Sequence, residues 1–339
     1  MHDGFDPHFD ESRMESFPVG HVIKKQRGEY TVFFGNREYE CTIRSRLRKN
    51  LVYPLSRQRR QSVDRIKSIE QVDPVAIGDI VRFNIVDEST CKGVIEKVEE
   101  RNNQLSRRAP GPKPRESVIC ANIGTLFPIF SLKQPEPKIG LIDRILVVAE
   151  WEDIPKVIIF NKIDIAEKDD IDWMRSVYEP AGFEMLFVSA LSGEGVEKVA
   201  KLMKGKTTVL VGPSGVGKTA LLNAIQPGFG LKVGLVSEST GKGIHTTTHL
   251  EAFPLDFGGF VVDTPGIKQL VLWNLDPDDL ITLFPEMTPL VGKCKFGLSC
   301  RHETEPGCAI KDAVEKGIVH RERYESYLRM HKSLPVEEY

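Results

Sequence analysis

Hydrophobic and polar positions follow different patterns in different parts of this chain. Between residues 17 and 100, YTVFF, REYECTI, DIVRFNIV and KGVIEKVE are short β-rich runs, bounded by turn signals such as Gly35-Asn36 and Ile77–Asp79. About five such strands predict a small barrel. From Ser117 strands alternate with helical periods. SVICANI, PIFSL, KVIIF, EMLFVSA, TTVLVG, HLEAFPL and GFVVDTPG read as strands. IDRILVVAEW, DIDWMRSVYEPAG (closed by Gly182), GVEKVAKLMKG and KTALLNAIQP (ended by Pro227) read as helices. That alternation predicts a doubly wound α/β sheet. Beyond Asp276 the pattern turns helical and loop-rich, ending in HRERYESYLRMHKS, a helix with Tyr324, Tyr327 and Leu328 on one side.

The expected organisation is a flexible tail over 1–16, an all-β barrel of the OB type over 17–106 and a Pro/Gly/Arg linker over 107–116. An α/β domain over 117–276 and a mostly helical module over 277–339 complete it. With 339 residues the chain is long enough for several cores. The polar, acidic N-terminus does not read as a signal peptide, and no apolar run is long enough to span a bilayer. Both point to a cytoplasmic protein.

The net charge of −2 conceals a strongly basic N-terminal third. Between Thr42 and Ser68 stand Arg44, Arg46, Arg48, Lys49, Arg57, Arg59, Arg60, Arg65 and Lys67 against one acid, Asp64. A charge run is usually a solvated face. On a small barrel, an imbalance this large favours RNA, with Arg44, Arg46, Arg48, Lys49, Arg57, Arg59 and Arg60 as the contacts. Cys41, Cys91 and Cys120, each in or beside an apolar run, read as buried small residues.

GPSGVGKT, residues 212 to 219, lies between a strand and a helix, the setting a phosphate loop requires. Gly212, Pro213, Ser214, Gly215, Val216 and Gly217 would wrap phosphate with backbone N–H groups at a helix N-terminus. Lys218 would reach the β/γ-phosphates and Thr219 would ligate Mg²⁺. DTPG supplies Asp263 for Mg²⁺ through water and the Gly266 N–H for the γ-phosphate. Between them, SESTGKGIHTTTH reads as a mobile switch, with Thr247 the leading Mg²⁺ ligand and Thr246 and Thr248 alternatives.

NKID reads guanine: Asn161, Lys162 and above all Asp164, whose carboxylate accepts from N1–H and the 2-amino group. Val188-Ser189-Ala190 follows another strand and predicts a loop offering a backbone N–H to guanine O6. The order is unusual, because NKID precedes the phosphate loop by about fifty residues.

Taken together, RSRLRKN in a barrel, IGDIVRF, the ANI strand, NKID before GPSGVGKT, GKGIHTTT, DTPG and a C-terminal Cys/His cluster resemble the ribosome small-subunit-dependent GTPase A family of circularly permuted GTPases. The resemblance covers nearly the whole chain. It implies a monomeric GTP hydrolase that works in late maturation of the small ribosomal subunit, binds its rRNA and is stimulated by it, with no membrane involved. The sequence departs from the family at Gly124, where Asp usually follows ANI, and in a first metal spacing one residue longer than usual.

Ile267 stands where Ras-like enzymes carry the water-orienting Gln. His245, beside the switch threonines, is the candidate to take over that role. Cys294, Cys300, His302 and Cys308 form a set suited to one structural zinc ion, three thiolates and an imidazole leaving no open position. Two other functions stay open from sequence. One is an RNA-binding protein holding GTP as a conformational ligand with negligible turnover. The other is a non-ribosomal GTPase whose barrel meets a protein.

Overall fold

The computed structural model describes residues 15–26, 28–44, 47, 73–108, 116–229, 251–263 and 275–334. The chain forms two compact units. One comprises residues 1–104, 109–122 and 249–253, the other the remainder.

The first unit holds the predicted barrel: β1 (Val19–Gln26), β2 (Glu29–Phe34), β3 (Arg37–Ile43), β4 (Ile80–Asp87) and β5 (Lys92–Val98). It closes in the order β1-β2-β3-β5-β4. Burial alternates along β3, as a strand with one face inward requires. The inward residues Val22, Tyr30, Val32, Tyr39, Cys41, Val81, Phe83 and Ile95 make one core. The β3–β5 pairing is parallel, so these strands cannot be hairpin neighbours, and the basic segment is part of their connection.

Asp79, read from sequence as part of a turn, is fully buried. Arg101 grips it bidentately, Nε to Oδ1 at 2.6 Å and a terminal nitrogen to Oδ2 at 2.8 Å. Strand β6 (Gln104–Arg108) follows, and β7 (Glu116–Ala121) belongs to the barrel unit, with a bridge from Cys120 to Ile77. The sequence pattern groups that strand with the α/β domain instead. Glu251 likewise belongs to the barrel unit, bridged to Lys24 and ion-paired with it at 3.1 Å. Cys41 and Cys120 are buried as expected. Cys91 departs from expectation: it is only half-buried, with φ of 50°, at the end of the turn between β4 and β5.

The second unit carries the α/β sheet. Its strands are β8 (Thr125–Ser131), β9 (Ile158–Asn161), β10 (Met185–Phe187), β11 (Thr207–Val211) and β13 (Phe260–Asp263), in the order β10-β9-β8-β11-β13, and of β12 (Ala252–Pro254) only Pro254 belongs to this unit. The pairs from β10 to β13 are parallel. Strands β8 and β9 are buried at every position, as central strands of a covered parallel sheet are. The helices are α1 (Ile139–Trp151), α2 (Lys168–Tyr178), α3 (Val196–Met203) and α4 (Lys218–Ile225). Helix α2 stops before Pro180, earlier than the Gly182 end read from sequence, because proline cannot donate into the helix.

The C-terminal segment adds short 3₁₀ turns, α5 (Ala309–Glu315) and α6 (Arg321–Ser333). Leu280, Phe284, Met287, Tyr327 and Met330 pack there with Val147 of α1, so this module shares a core with the α/β sheet. The buried stripe of α6 is Arg323, Ser326, Tyr327 and Met330. The expected Tyr324 and Leu328 lie at its half-buried margin, so the face is rotated and centred on a charged residue. Among the described residues no helix is long and apolar enough to cross a membrane.

Candidate nucleotide site and metal centre

Parallel pairing puts the C-terminal ends of β9, β11 and β13 on one edge of the sheet, where α/β folds bind ligands. Asn161 ends β9 level with Ser131 of β8, and Asp263 ends β13 level with Leu210 of β11. NKID and the phosphate loop therefore flank the same central strand, although the chain reaches them in reverse order.

Asn161 joins three motifs. It is buried, its Nδ2 donates to the Val216 carbonyl at 3.0 Å, and its Oδ1 accepts the Ala190 N–H at 3.0 Å. Of the loop expected to offer a backbone N–H to guanine O6, the Ala190 N–H is thus already held by Asn161. Lys162 occupies the left-handed region, φ 64°, and its Nζ donates to the Gln134 carbonyl at 2.6 Å. The Ser189 hydroxyl donates to Asp164 Oδ1 at 2.5 Å, fixing the carboxylate.

Two glycines of the phosphate loop are required by contact. A Cβ on Gly212 would lie 2.0 Å from the Ile129 carbonyl oxygen of β8. A Cβ on Gly217 would lie 2.4 Å from Asn161 Nδ2, and its φ of 89° disfavours any other residue. Lys218 opens α4 with its Nζ on the Gly212 and Pro213 carbonyls, at 2.8 and 3.2 Å. Ser214, Gly215 and Thr219 are exposed at the loop mouth. The residues that would meet the γ-phosphate side, His245, Thr246, Thr247, Thr248, Gly266 and Ile267, lie outside the described residues, as does the side chain of Asp263. Arg46, Arg48, Lys49, Arg57, Arg59 and Arg60 also lie outside them. Arg44 is described: its Nε pairs with the buried Glu96 at 2.7 Å while the side chain stays half exposed.

The four predicted metal ligands converge. The ligand atoms of Cys294, Cys300, His302 and Cys308 lie within 4.8 Å of one another, and all four residues are buried. Sγ of Cys294 and Cys308 are 3.9 Å apart, and His302 Nδ1 is 3.5 and 3.4 Å from them. A tetrahedral centre with Zn–S near 2.3 Å and Zn–N near 2.0 Å has S–S edges of about 3.8 Å and N–S edges of about 3.5 Å. Cys294, His302 and Cys308 match those edges, and Cys300 stands within 4.8 Å of them as the fourth donor of a set suited to a tetrahedral cation. Burial pushes the Cys300 thiol up to about 12 and raises Cys308, so a bound metal must displace their protons. Burial lowers His302, which favours the neutral imidazole a ligand must be. Metal removal by a chelator is expected to expose the 294–308 segment to proteolysis while the barrel stays protected. Equal resistance with and without metal would count against a structural centre.

Comparison with known proteins agrees with this geometry. The model of the RsgA GTPase family matches residues 98–273. The chain belongs to that family. A small ribosomal subunit biogenesis GTPase RsgA from Phocaeicola vulgatus is 40% identical over 269 residues, 78% of this chain and 86% of that protein. The protein of the same name from Alkaliphilus metalliredigens is 35% identical over 311 residues, 92% and 96% of the two chains. The crystal structure of YjeQ from Thermotoga maritima superposes with a TM-score of 0.69 at 30% identity, covering 93% of this chain and 98% of its own. That of YloQ, a circularly permuted GTPase, gives 0.65 at 26% identity, covering 96% and 97%. This protein is therefore a circularly permuted GTPase, a hydrolase acting on GTP, with the family's barrel and C-terminal module.

One cluster escapes sequence reasoning. Arg323 of α6 is buried, bonding Asp143 of α1 at 2.6 Å and both Glu286 oxygens at 2.8 and 3.0 Å. The Tyr178 hydroxyl also donates to Asp143 at 3.2 Å. The one sign of it in the sequence is Asp143 interrupting an apolar helical run.

Proposed function

We propose that this chain binds the small ribosomal subunit and its rRNA through the basic barrel and hydrolyses GTP to GDP and phosphate during late maturation of that subunit. The observation that carries the nucleotide half is Asn161, one side chain bonded to both the phosphate loop and the Ala190 loop. The ribosomal half is supported by relatives named small ribosomal subunit biogenesis GTPase and by the basic run from Arg44 to Lys67.

In this reading Asp164 and the Ala190 loop select guanine, and Lys162 lays its stem along the base. Residues 212–217 wrap the phosphates, and Lys218 gives up its carbonyl contacts to neutralise them. Gly266 contacts the γ-phosphate. Thr219, Thr247 and Asp263 hold Mg²⁺, which when bound offsets charge on the phosphoryl oxygens. His245 orients water, since Ile267 cannot. One zinc ion in the Cys294, Cys300, His302 and Cys308 set is structural, and the protein works as a cytoplasmic monomer. Arg44, Arg46, Arg48, Lys49, Arg57, Arg59 and Arg60 meet RNA phosphates.

Single-turnover hydrolysis with and without small subunits tests this. Stimulation is expected, with subunit binding that weakens steeply as salt rises. Tight GTP binding without stimulated turnover would instead indicate a conformational ligand, and salt-insensitive binding a protein partner. His245→Ala is expected to lower subunit-stimulated turnover by about 10²-fold with GTP affinity retained. Unchanged turnover would remove His245 from the mechanism.

A further inference from the structure

Helix α1 packs with the C-terminal module through Val147. The segment leading into it lies against both nucleotide loops. Lys162 Nζ donates to the Gln134 carbonyl, and Pro135 Cδ would lie 3.7 Å from a Cβ on Gly215. Lys133 pairs with Glu167 and Asp170 at the start of α2, at 3.0 and 3.1 Å. One turn into α1, Asp143 is held by Arg323 of α6. The next residue of α6, Tyr324, donates its hydroxyl to the carbonyl of the metal ligand His302 at 2.6 Å.

Stability alone does not account for this arrangement. Asp143, Glu286 and Arg323 are all nearly inaccessible and carry two negative charges against one positive. Asp143 Oδ2 meets no hydrogen bond of full geometry, the buried Ser326 hydroxyl being the further polar group beside this carboxylate. Burial raises the Asp143 carboxyl even against the pull of Arg323. Apolar side chains of similar volume would fill such a site at no loss of stability, and often at a gain. What they would not supply is a directional lock. Two carboxylates on different segments, one from α1 and one before the metal loops, meet a single planar guanidinium, and only one placement of α6 satisfies both.

We propose that the Asp143–Arg323–Glu286 cluster makes metal occupancy and guanine-nucleotide affinity thermodynamically linked. Metal orders His302, Tyr324 carries that order to α6, and Arg323 passes it to α1 and so to the Gln134 carbonyl that holds Lys162. This rests on the four-residue set holding a metal, so metal content is measured first, on the full chain as purified.

The decisive experiment titrates a fluorescent GDP analogue into metal-loaded and chelator-stripped protein. A second titration adds Zn²⁺ to stripped protein with and without GDP. Linkage requires the two affinities to change by one common factor, expected at about fivefold or more. Asp143→Leu/Glu286→Met/Arg323→Met combined with Tyr178→Phe, which removes all three charges and the buried hydroxyl that bonds Asp143, is expected to keep its unfolding temperature and lose the common factor. Tyr324→Phe is expected to reduce the factor while leaving the ion cluster intact. Protein that binds no metal refutes the metal reading and the linkage with it. Metal-binding protein whose GDP affinity is the same loaded and stripped refutes the linkage alone. A combined variant that retains the full factor shows that another route carries it and overturns the role of the cluster.

Discussion

Asp164→Asn is expected to weaken GTP binding by about 10⁴-fold and to create affinity for xanthosine triphosphate. The geometry of the acidic side chain gives the reason. Ser189 donates to Asp164 Oδ1, so the second carboxylate oxygen is the one presented to the base. In the asparagine variant the Ser189 hydroxyl needs an acceptor and takes the amide oxygen. The amide NH₂ is then turned toward the 2-amino group of guanine, donor against donor, and leaves buried donors unpaired. Xanthine carries a carbonyl at that carbon, which accepts. Equilibrium titration with the two nucleotides checks this. Retained GTP affinity, or loss of GTP with no gain for the xanthine nucleotide, would show that Asp164 does not read the base. Ser189→Ala combined with Asp164→Asn should partly relax the discrimination, because the amide is then free to flip.

The discrimination follows from residues of one four-residue motif and a serine twenty-five positions beyond Asp164, and most of it is legible in the sequence. NKID, VSA and GPSGVGKT each end or follow an apolar run, and short-range pattern places such runs on strands. Parallel strands then bring their C-terminal ends to one edge whatever the chain order, which is why the permutation leaves the site whole. The metal set is legible for a similar reason: Cys294, Cys300, His302 and Cys308 lie within fifteen residues, and the cluster closes locally.

Features that depend on distant partners are not legible. Nothing in REYECTI and KGVIEKVE indicates that they pair in parallel. PIFSL marks only the second half of its strand. Thr125, Leu126 and Phe127 begin it, fully buried, and burial on both faces erases the period that marks a strand. The motif alone assigns a backbone N–H of the 188–190 loop to guanine, and only the folded arrangement shows Asn161 holding that of Ala190. Arg323 is hidden most completely. In HRERYESYLRMHKS it is one charge among many on a helix whose marked side is Tyr324, Tyr327 and Leu328, and its partner Asp143 is 180 residues away.

That hidden residue carries the largest stability effect expected of any single substitution here. Arg323→Ala leaves Asp143 and Glu286 buried without a counter-charge, a change that costs about 3–5 kcal/mol. It also removes the guanidinium from over the rings of Phe284, Phe183 and Tyr178, at 4.6, 5.2 and 5.6 Å. At about 2–4 °C per kcal/mol for a domain of this size, the unfolding temperature should fall by roughly 10 °C. The loss should depend on pH in a definite direction. Burial already holds the Asp143 carboxyl above its ordinary value, and Arg323 is the group that opposes this. Without Arg323 the carboxyl rises further, so the folded variant holds a proton that the unfolded chain gives up. A carboxyl raised in the folded state stabilises below its unfolded value and loses that contribution as pH climbs through the folded one. The gap between variant and parent should therefore be widest near pH 8 and narrow toward about pH 5. Calorimetric scans across that range decide the matter. A variant as stable as the parent, or a gap that widens on acidification, would mean that the two carboxylates are not held by Arg323 in the folded protein.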